Sequence, residues 1–577
     1  RNMFNTGKDR FLFGASLKYD VTDWLDITGR ARIDYTHITA EQKNYASTLG
    51  LFAGDKGRYY NNTYITSQRY ADVLANFHKT FADGAFSLNA TLGASIEDYK
   101  HRAILLGGDL TGVPNLFTLA NMTTNKSQAK ETINDQTQSL FATLQLGYKN
   151  MVFLDVTARN DWVTALANTS KTSMFYPSVG LSAVLTDIFK VDSRVLSFAK
   201  IRASYAEVGN APMRWITIPT YPVSDGTPQT STYLTSDDFK PERTKSWEVG
   251  ADVRLWGNKL ILNATYYSSR TYNQVFNPDI SSTSTYSSLY VNAGRVDNKG
   301  VEVSAELNQN LGPVKWSSNL VYSRNRNKVL SLGNAVQTGL KTDLRTGMQY
   351  EYYGNQSEQF RAYTNILAVG QPMYVFYGYR TDGIVQSLAE GLSAGLSGDD
   401  AQPGEFKYVD IYDGDGLETV DENDMCIIGD PNPDWMASLG IDVSWRRFDF
   451  SIFFNGVFGN DVLNTKRFDQ PSNMPMRWTA DNPTNSYPRL NANRQTKLSD
   501  WWVEDGSFVR IQTMTLGYSI PFSKKDAARK IRLYVSADNL YTFTGFEGYD
   551  PEVGMTGIYS GGYPRLRKWT FGADFTF

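Results

Sequence analysis

Cysteine and histidine are nearly absent from this 577-residue chain, which has one Cys426 and three histidines, His37, His78 and His101. A single thiol excludes an intrachain disulfide framework and any cysteine-based metal cluster, and three imidazoles leave little for histidine-dependent chemistry. No stretch approaches the roughly 18 apolar residues that a spanning helix requires. The 57 basic and 60 acidic residues nearly cancel, so the basic excess of a nucleic-acid binder is missing and no nucleic-acid partner is expected. No proline- or serine-rich linker interrupts the chain, and one large architecture over residues 1–577 is the simpler expectation. A nucleophile elbow, a His-Glu-x-x-His helix and a phosphate-binding loop are also missing. His78 alternates with Asn76 and Asp72, which is better read as a solvated histidine than as a catalytic base. The expectation is a protein that is not an enzyme and has no catalytic residues.

Aromatic residues are what the chain has in abundance: 35 Tyr, 31 Phe and 12 Trp. With a mean hydropathy below zero, they suit a β-barrel, because only alternate residues of its strands meet lipid. The last nine residues show the pattern. Trp569, Phe571, Ala573, Phe575 and Phe577 occupy the odd positions, and Thr570, Gly572, Asp574 and Thr576 the even ones. Successive side chains of a strand point to opposite faces, so one face suits a lipid bilayer and the other water.

The alternation recurs. Trp247, Val249, Ala251, Val253 and Leu255 share one parity, and Glu248, Asp252 and Arg254 the other. An Arg facing lipid near the midplane costs roughly 2–4 kcal/mol, so the charged parity is assigned to the lumen. Similarly, Leu25, Ile27, Ala31, Ile33 and Tyr35 face away from Asp26, Arg30, Arg32 and Asp34. Hairpins are predicted near 11–21/25–35, 70–82/85–98, 137–149/151–162, 174–187/198–209, 247–255/260–266, 291–309/314–327, 433–446/447–459 and 506–520/530–543, with 563–577 alone. The connections alternate between short turns (21–24, 82–85, 149–151, 256–259, 309–314, 446–447) and long ones (37–69, 99–136, 210–242, 328–432, 460–505, 544–562). Short turns on one side and long loops on the other is the arrangement of outer-membrane barrels. A soluble sandwich would have strands of about 5–6 residues, against roughly a dozen here. The pattern gives 17 strands, an odd number that a complete single-chain barrel does not have. Together with an opening at Arg1-Asn-Met-Phe, this implies the C-terminal part of a longer protein, whose edges are completed by sequence outside this chain.

Several segments resemble the SusC/RagA family of TonB-dependent outer-membrane transporters. They are Tyr176-Pro-Ser-Val-Gly180, Lys200-Ile-Arg-Ala-Ser-Tyr-Ala-Glu-Val-Gly-Asn210, Phe239-Lys-Pro-Glu-Arg-Thr-Lys-Ser-Trp-Glu-Val-Gly250, Asn292-Ala-Gly-Arg-Val-Asp-Asn-Lys-Gly-Val-Glu302, Gly429-Asp-Pro-Asn-Pro-Asp434, Phe508-Val-Arg510, Leu516-Gly-Tyr518, Asn539-Leu-Tyr-Thr-Phe543 and Gly548-Tyr-Asp-Pro-Glu552. The resemblance implies an all-β fold, a transmembrane antiparallel β-barrel of 22 strands in the complete protein, with about 17 (strands 6–22) here. It further implies an N-terminal plug with the first five strands outside this chain, contact with the TonB complex through that missing region, and a SusD-type surface lipoprotein as a lid. The expected function is import of oligosaccharides, or oligopeptides, across the outer membrane of a Gram-negative bacterium. The alternatives are an outer-membrane barrel enzyme of protease or phospholipase type and a soluble adhesin-like β protein.

Two groups of residues are candidate sites. Asp410, Asp413, Asp415, Asp421 and Asp424 place hard carboxylate oxygens at close spacing, which suits a structural Ca²⁺. Their spacing departs from an EF-hand loop, since its first position would be Ile411, and a solvated Asp/Gly-rich turn is the other reading. No cofactor is required. Aromatic residues crowd the long connections: Tyr59, Tyr60 and Tyr64, then Tyr350, Tyr352 and Tyr353, then Trp478, Trp501 and Trp502. Of these, Tyr59, Tyr60, Tyr352, Trp478, Trp501 and Trp502 are the candidate ligand contacts, by stacking on sugar rings or packing on a lid protein; an interfacial girdle is the alternative role. The long loop 328–432, with Gly370-Gln-Pro372 and Tyr374-Val-Phe-Tyr377, resembles the family region outside the barrel, with partner docking as its implied role.

Overall fold

The hairpin closed by Asp23 and Trp24 shows how alternation becomes structure. Asn2–Thr22 pairs antiparallel with Leu25–Asn44, setting Phe11 opposite Tyr35, Phe13 opposite Ile33 and Ala15 opposite Ala31 on one face. On the other face Arg10 reaches diagonally to Asp34 at 2.5 Å, so the polar parity is held by an ion pair and the apolar parity is left smooth. The computed structural model describes residues 2–576 apart from 123–126, 214–215, 219–220, 222, 225, 232, 235–238, 277–285, 287, 334–339, 355, 413, 415–418, 470, 492–493 and 523–529.

The chain divides into two compact units, residues 1–181, 206–220 and 237–241, and residues 182–205, 221–236 and 242–577. In the first, Asn2–Thr22, Leu25–Asn44, Arg58–Phe81, Phe86–Asp109, Ser127–Tyr148 and Val152–Val163 each pair with the next. In the second, Glu242–Leu255, Leu260–Phe276, Val291–Leu311, Val314–Ser331, Trp435–Trp445, Phe448–Phe458, Phe508–Pro521, Lys530–Thr544 and Lys568–Thr576 do the same. With Ser173–Val184 and Leu196–Asn210, the long strands number the expected seventeen. Among the described residues no helix is long and apolar enough to cross a membrane.

The early strands are longer than the alternation predicts. The connection expected at 37–69 shrinks to residues 45–57, because Leu25–Asn44 and Arg58–Phe81 remain paired out to Asn44 and Arg58. Phe86–Asp109 likewise extends to 24 residues. About 9–11 residues suffice to cross the bilayer, so more than half of such a strand lies beyond it. There the bilayer no longer sets one face apart from the other, the apolar parity disappears, and Thr- and Tyr-rich segments such as Thr63-Tyr-Ile-Thr66 keep the β-ladder without showing any period.

The assignment of faces agrees with the pattern. Trp247 and Val249 are 45% and 50% exposed, and Val249 and Val253 stand opposite Tyr266 and Leu262. On the opposite parity, Asp252 accepts a hydrogen bond from Arg202, whose second nitrogen donates to Thr265 Oγ1 at 2.6 Å. Gly250 lies beneath that guanidinium, where a Cβ would approach Arg202 Nε to 2.8 Å. Among the described residues no second sheet covers Trp247 and Val249, which speaks against the sandwich alternative. In the last strand Trp569, Phe571, Ala573 and Phe575 stand opposite Ala537, Val535, Leu533 and Ile531; Phe577 lies outside the described residues.

Buried apolar clusters therefore lie away from the middle of the strands. Each is built from the long connections or from strand ends that meet them, as in Tyr350, Ile366, Ala368, Val375, Tyr377 and Met425, or Phe360, Phe376, Leu463, Leu498 and Trp502. The 332–434 connection forms its own sheet from Lys341–Thr342, Gln349–Tyr353, Asn365–Ala368, Val375–Gly378 and Cys426–Gly429.

Candidate binding site in the long connections

Two connections of the second unit, 459–507 and 545–567, are drawn together by a small sheet in which Asp461–Asn464 pairs with Val503–Asp505 on one side and with Ile558–Tyr559 on the other. The 459–507 connection then docks on 332–434. Asp500 Oδ1 accepts from Thr381 N at 3.0 Å and Thr381 Oγ1 at 2.6 Å, and Asn485 Oδ1 accepts from Ile384 N at 2.7 Å. Trp478 donates its indole N–H to Gln386 Oε1 at 2.9 Å and lies over Gly404.

The tryptophans predicted as ligand contacts meet here. Trp501 and Trp502 cross edge to face with centroids 4.9 Å apart, and Phe406 lies 5.1 Å from Trp501. Arg467 is placed 4.7 Å from the Trp501 centroid, and Trp501 donates its indole N–H to Ser486 O. Trp502 is 2% exposed, and its indole N–H is buried with no acceptor among the described residues. It lines an open cleft of about 510 Å³ together with Glu358, Lys466, Asp469, Asn491 and Arg494. A cleft that carries a lysine and an arginine beside an aromatic wall is suited to an acceptor-rich ligand.

Sequence reading missed the residue that braces this cleft. Glu405 is buried and accepts from Arg489 Nε at 2.7 Å, Arg494 Nε at 2.5 Å and Asn491 Nδ2 at 2.9 Å. These partners lie more than 80 positions away, and no local period marks any of them. Burial raises the carboxyl's proton affinity, but Arg494 and then Arg489 and Asn491 outweigh it and hold Glu405 below the usual range. A depressed folded-state value contributes stability that is present above the unfolded value and lost as pH falls through the folded one. Protease resistance of residues 478–502 is therefore expected to fall between about pH 5 and pH 3. Glu405→Gln is expected to be more sensitive at pH 7 and to show less change on acidification, as checked by limited proteolysis at each pH.

The other candidate residues are placed elsewhere. Tyr59 lies on Arg58–Phe81, is buried against Leu110 and Met122, and donates its hydroxyl to Glu41 Oε1 at 3.0 Å. Tyr60 is on the same strand, its ring over Gly107. Tyr352 stacks on Tyr363 at 4.7 Å under the Lys341 ammonium, and burial pushes its hydroxyl up to about 12. None of these three joins the Trp501–Trp502 group. Of the acidic cluster, Asp424 accepts from Ile411 N and Tyr412 N through Oδ1 and from Asp421 N through Oδ2. Asp421 caps the turn through Asn423 N, and Asp410 accepts from Tyr412 N. These carboxylates shape a turn, and among the described residues no group of three or more acidic, His or Cys side chains is arranged to hold a metal. Asp413 and Asp415 lie outside the described residues.

Along the strands, the polar face carries paired charges. Arg30 grips Asp72 at 2.7 and 2.9 Å in the first unit. In the second, Arg270 holds Asp297, and Arg532 bridges Asp449 and Asp574 at 2.6 and 3.0 Å. His78 faces Asp26 at 4.0 Å, with its predicted neighbour Asp72 taken by Arg30.

Comparison with known proteins supplies the context. Residues 1–540 match the model of a family described as "TonB dependent receptor-like, beta-barrel". TonB-dependent receptor P3 of Formosa agariphila is 29% identical over 90% of this chain and 53% of its own length. TonB-dependent receptor SusC of Bacteroides thetaiotaomicron is 23% identical over 98% of this chain and 57% of its own. The chain thus spans little more than half the length of these relatives. The structure described as the RagAB peptide transporter superposes over all of this chain and 62% of its own with a TM-score of 0.83 at 17% identity, which establishes a shared fold. A strand pattern with one apolar and one charge-paired face, seventeen long strands and this match over most of the length place the chain in the TonB-dependent receptor β-barrel family.

Proposed function

We propose that the chain is the barrel portion of a TonB-dependent outer-membrane importer of SusC type in a Gram-negative bacterium, which takes up an oligosaccharide under a SusD-like lipoprotein lid. A plug outside this chain would couple it to TonB. The observation that carries the reading is the cleft at Trp502. Its lining sets Lys466, Arg494, Asn491, Glu358 and Asp469 around the rings of Phe468 and Trp502, a combination of polar groups on an aromatic floor that fits a polyhydroxylated ligand better than an apolar one. The strands do no bond chemistry. They provide a wall compatible with lipid on one face and with water on the other, and no residue acts as a catalyst.

A second reading, an oligopeptide as cargo, is favoured by Glu358 and Asp469 beside Lys466 in the same lining, which pair with both ends of a zwitterion, and by the peptide named for RagAB. Isothermal titration of the full-length protein against a panel of neutral oligosaccharides and of short peptides separates the two. A glycan binder is expected, with affinity reduced about tenfold or more by Asn491→Ala or Lys466→Ala, the loss of one or two hydrogen bonds to a charged or buried group. Binding of peptides alone, weakened by Glu358→Gln, would replace the glycan reading. Turnover of any panel member would replace the importer reading itself.

A further inference from the structure

The strand Arg58–Phe81 departs from its pattern near its end. From Ala71 onward the odd residues Ala71, Val73, Ala75 and Phe77 stand opposite Ala31, Gly29, Ile27 and Leu25 on the apolar face. Lys79 has the same parity and is set opposite Leu88, one step before the closing pair Phe81–Phe86. Its ammonium lies 5.8 Å from the Trp24 ring centroid and 5.5 Å from that of Phe81, with no ion-pair partner among the described residues. Trp24 stacks on Phe77 at 6.2 Å. One hairpin along, Phe86 meets Tyr148 at 5.0 Å, and the Lys149 ammonium lies 5.3 Å from the Tyr148 ring. Lys149 takes a φ of 48°, a left-handed turn position where Gly or Asn is favoured.

Aromatic rings at a strand's end mark the depth of lipid headgroups. Lys79 lies about 7 Å along the strand from the closing pair, shallow enough for its stem to reach that layer. An ammonium is a compact, strongly hydrated charge; here the protein gives it two ring faces and no anion. We propose that Lys79 and Lys149, with Trp24, Phe81 and Tyr148, form a headgroup site for a net-anionic phospholipid on the short-turn rim, the lipid phosphate supplying the missing counter-charge. A zwitterionic lipid fits less well, because its own ammonium competes for the phosphate and is repelled by the lysines.

The site rests on this chain being a membrane barrel and is independent of what the cleft binds. The test is native mass spectrometry of the full-length protein in mild detergent, loaded with equal amounts of phosphatidylglycerol or phosphatidylcholine. Wild type is expected to retain phosphatidylglycerol about fivefold or more over phosphatidylcholine, the preference that one or two lysines at a membrane surface confer. Lys79→Gln with Lys149→Gln should bring the two lipids to parity, while Lys79→Arg keeps the preference; heat-modifiable migration on gels verifies that each variant is folded. Parity in wild type, or an undiminished preference in the folded double variant, would overturn the site and leave the importer reading intact. Recovery of the protein from cells without detergent would overturn both.

Discussion

Val249→Arg is expected to lower the stability of the folded barrel by about 2–4 kcal/mol, whereas Glu248→Gln, one residue away, is expected to change it by less than about 0.5 kcal/mol. Val249 is half exposed on the apolar face, beside Trp247 and opposite Tyr266, seven residues from Trp256, where the turn begins. A guanidinium there faces hydrocarbon far from either interface. Glu248 is on the face that also carries Asp252 and Arg254, where water solvates a change of charge. Urea unfolding of the refolded full-length protein in lipid vesicles measures both. Equal, small effects would mean that the apolar face meets water, and the membrane assignment would fall with them. A large effect of Glu248→Gln with a small one of Val249→Arg would reverse the two faces.

That contrast also shows what the sequence makes legible and why. Face assignment in a strand needs only parity, and parity is a local property: reading Trp247, Val249 and Val253 against Glu248, Asp252 and Arg254 requires nothing beyond ten consecutive residues. Turn positions such as Lys149-Asn150 and Arg446-Arg447 are equally local, and the structure has them where the pattern breaks. Strand length was misjudged where the environment becomes the same on both sides, as at Thr63 and Thr66, because alternation reports a difference between faces and not the ladder itself. The cleft was legible only as an excess of tryptophan. Trp501 and Trp502 were identifiable as unusual neighbours in a polar connection, but Glu405, Arg489 and Arg494 meet only after two connections have folded onto each other. Tyr59 illustrates the opposite error: an aromatic in a segment read as loop is in fact a strand residue sealed beneath it.

Arg510→Met is expected to cost about 3 kcal/mol and to release residues 545–567 from the structure. Arg510 is 1% exposed at the start of Phe508–Pro521, and its Nε donates to Thr542 Oγ1 at 2.9 Å across the strand pair. Its terminal nitrogens hold Asp550 at 2.6 Å and Glu552, so Phe508-Val-Arg510 and Gly548-Tyr-Asp-Pro-Glu552, separate motifs in the sequence, form one clip. Breaking a buried charge pair by removing one partner costs about 3–5 kcal/mol; the lower end applies because Glu552 is partly exposed and Arg565 still reaches both carboxylates, at 2.9 and 3.0 Å. Arg510→Lys should fall between wild type and Met, since an ammonium cannot present the planar fork that serves two carboxylates and a hydroxyl at once. Hydrogen exchange followed by mass spectrometry is expected to show faster exchange at Ile558 and Tyr559, and then at Asp461–Asn464, which depends on them for a strand partner. Because Asp461–Asn464 leads directly into Lys466 on the cleft wall, the same variant should weaken ligand binding without touching the cleft. Unchanged exchange at Ile558 would show that the clip is dispensable and that the 459–507 and 545–567 connections are held together by the small sheet alone.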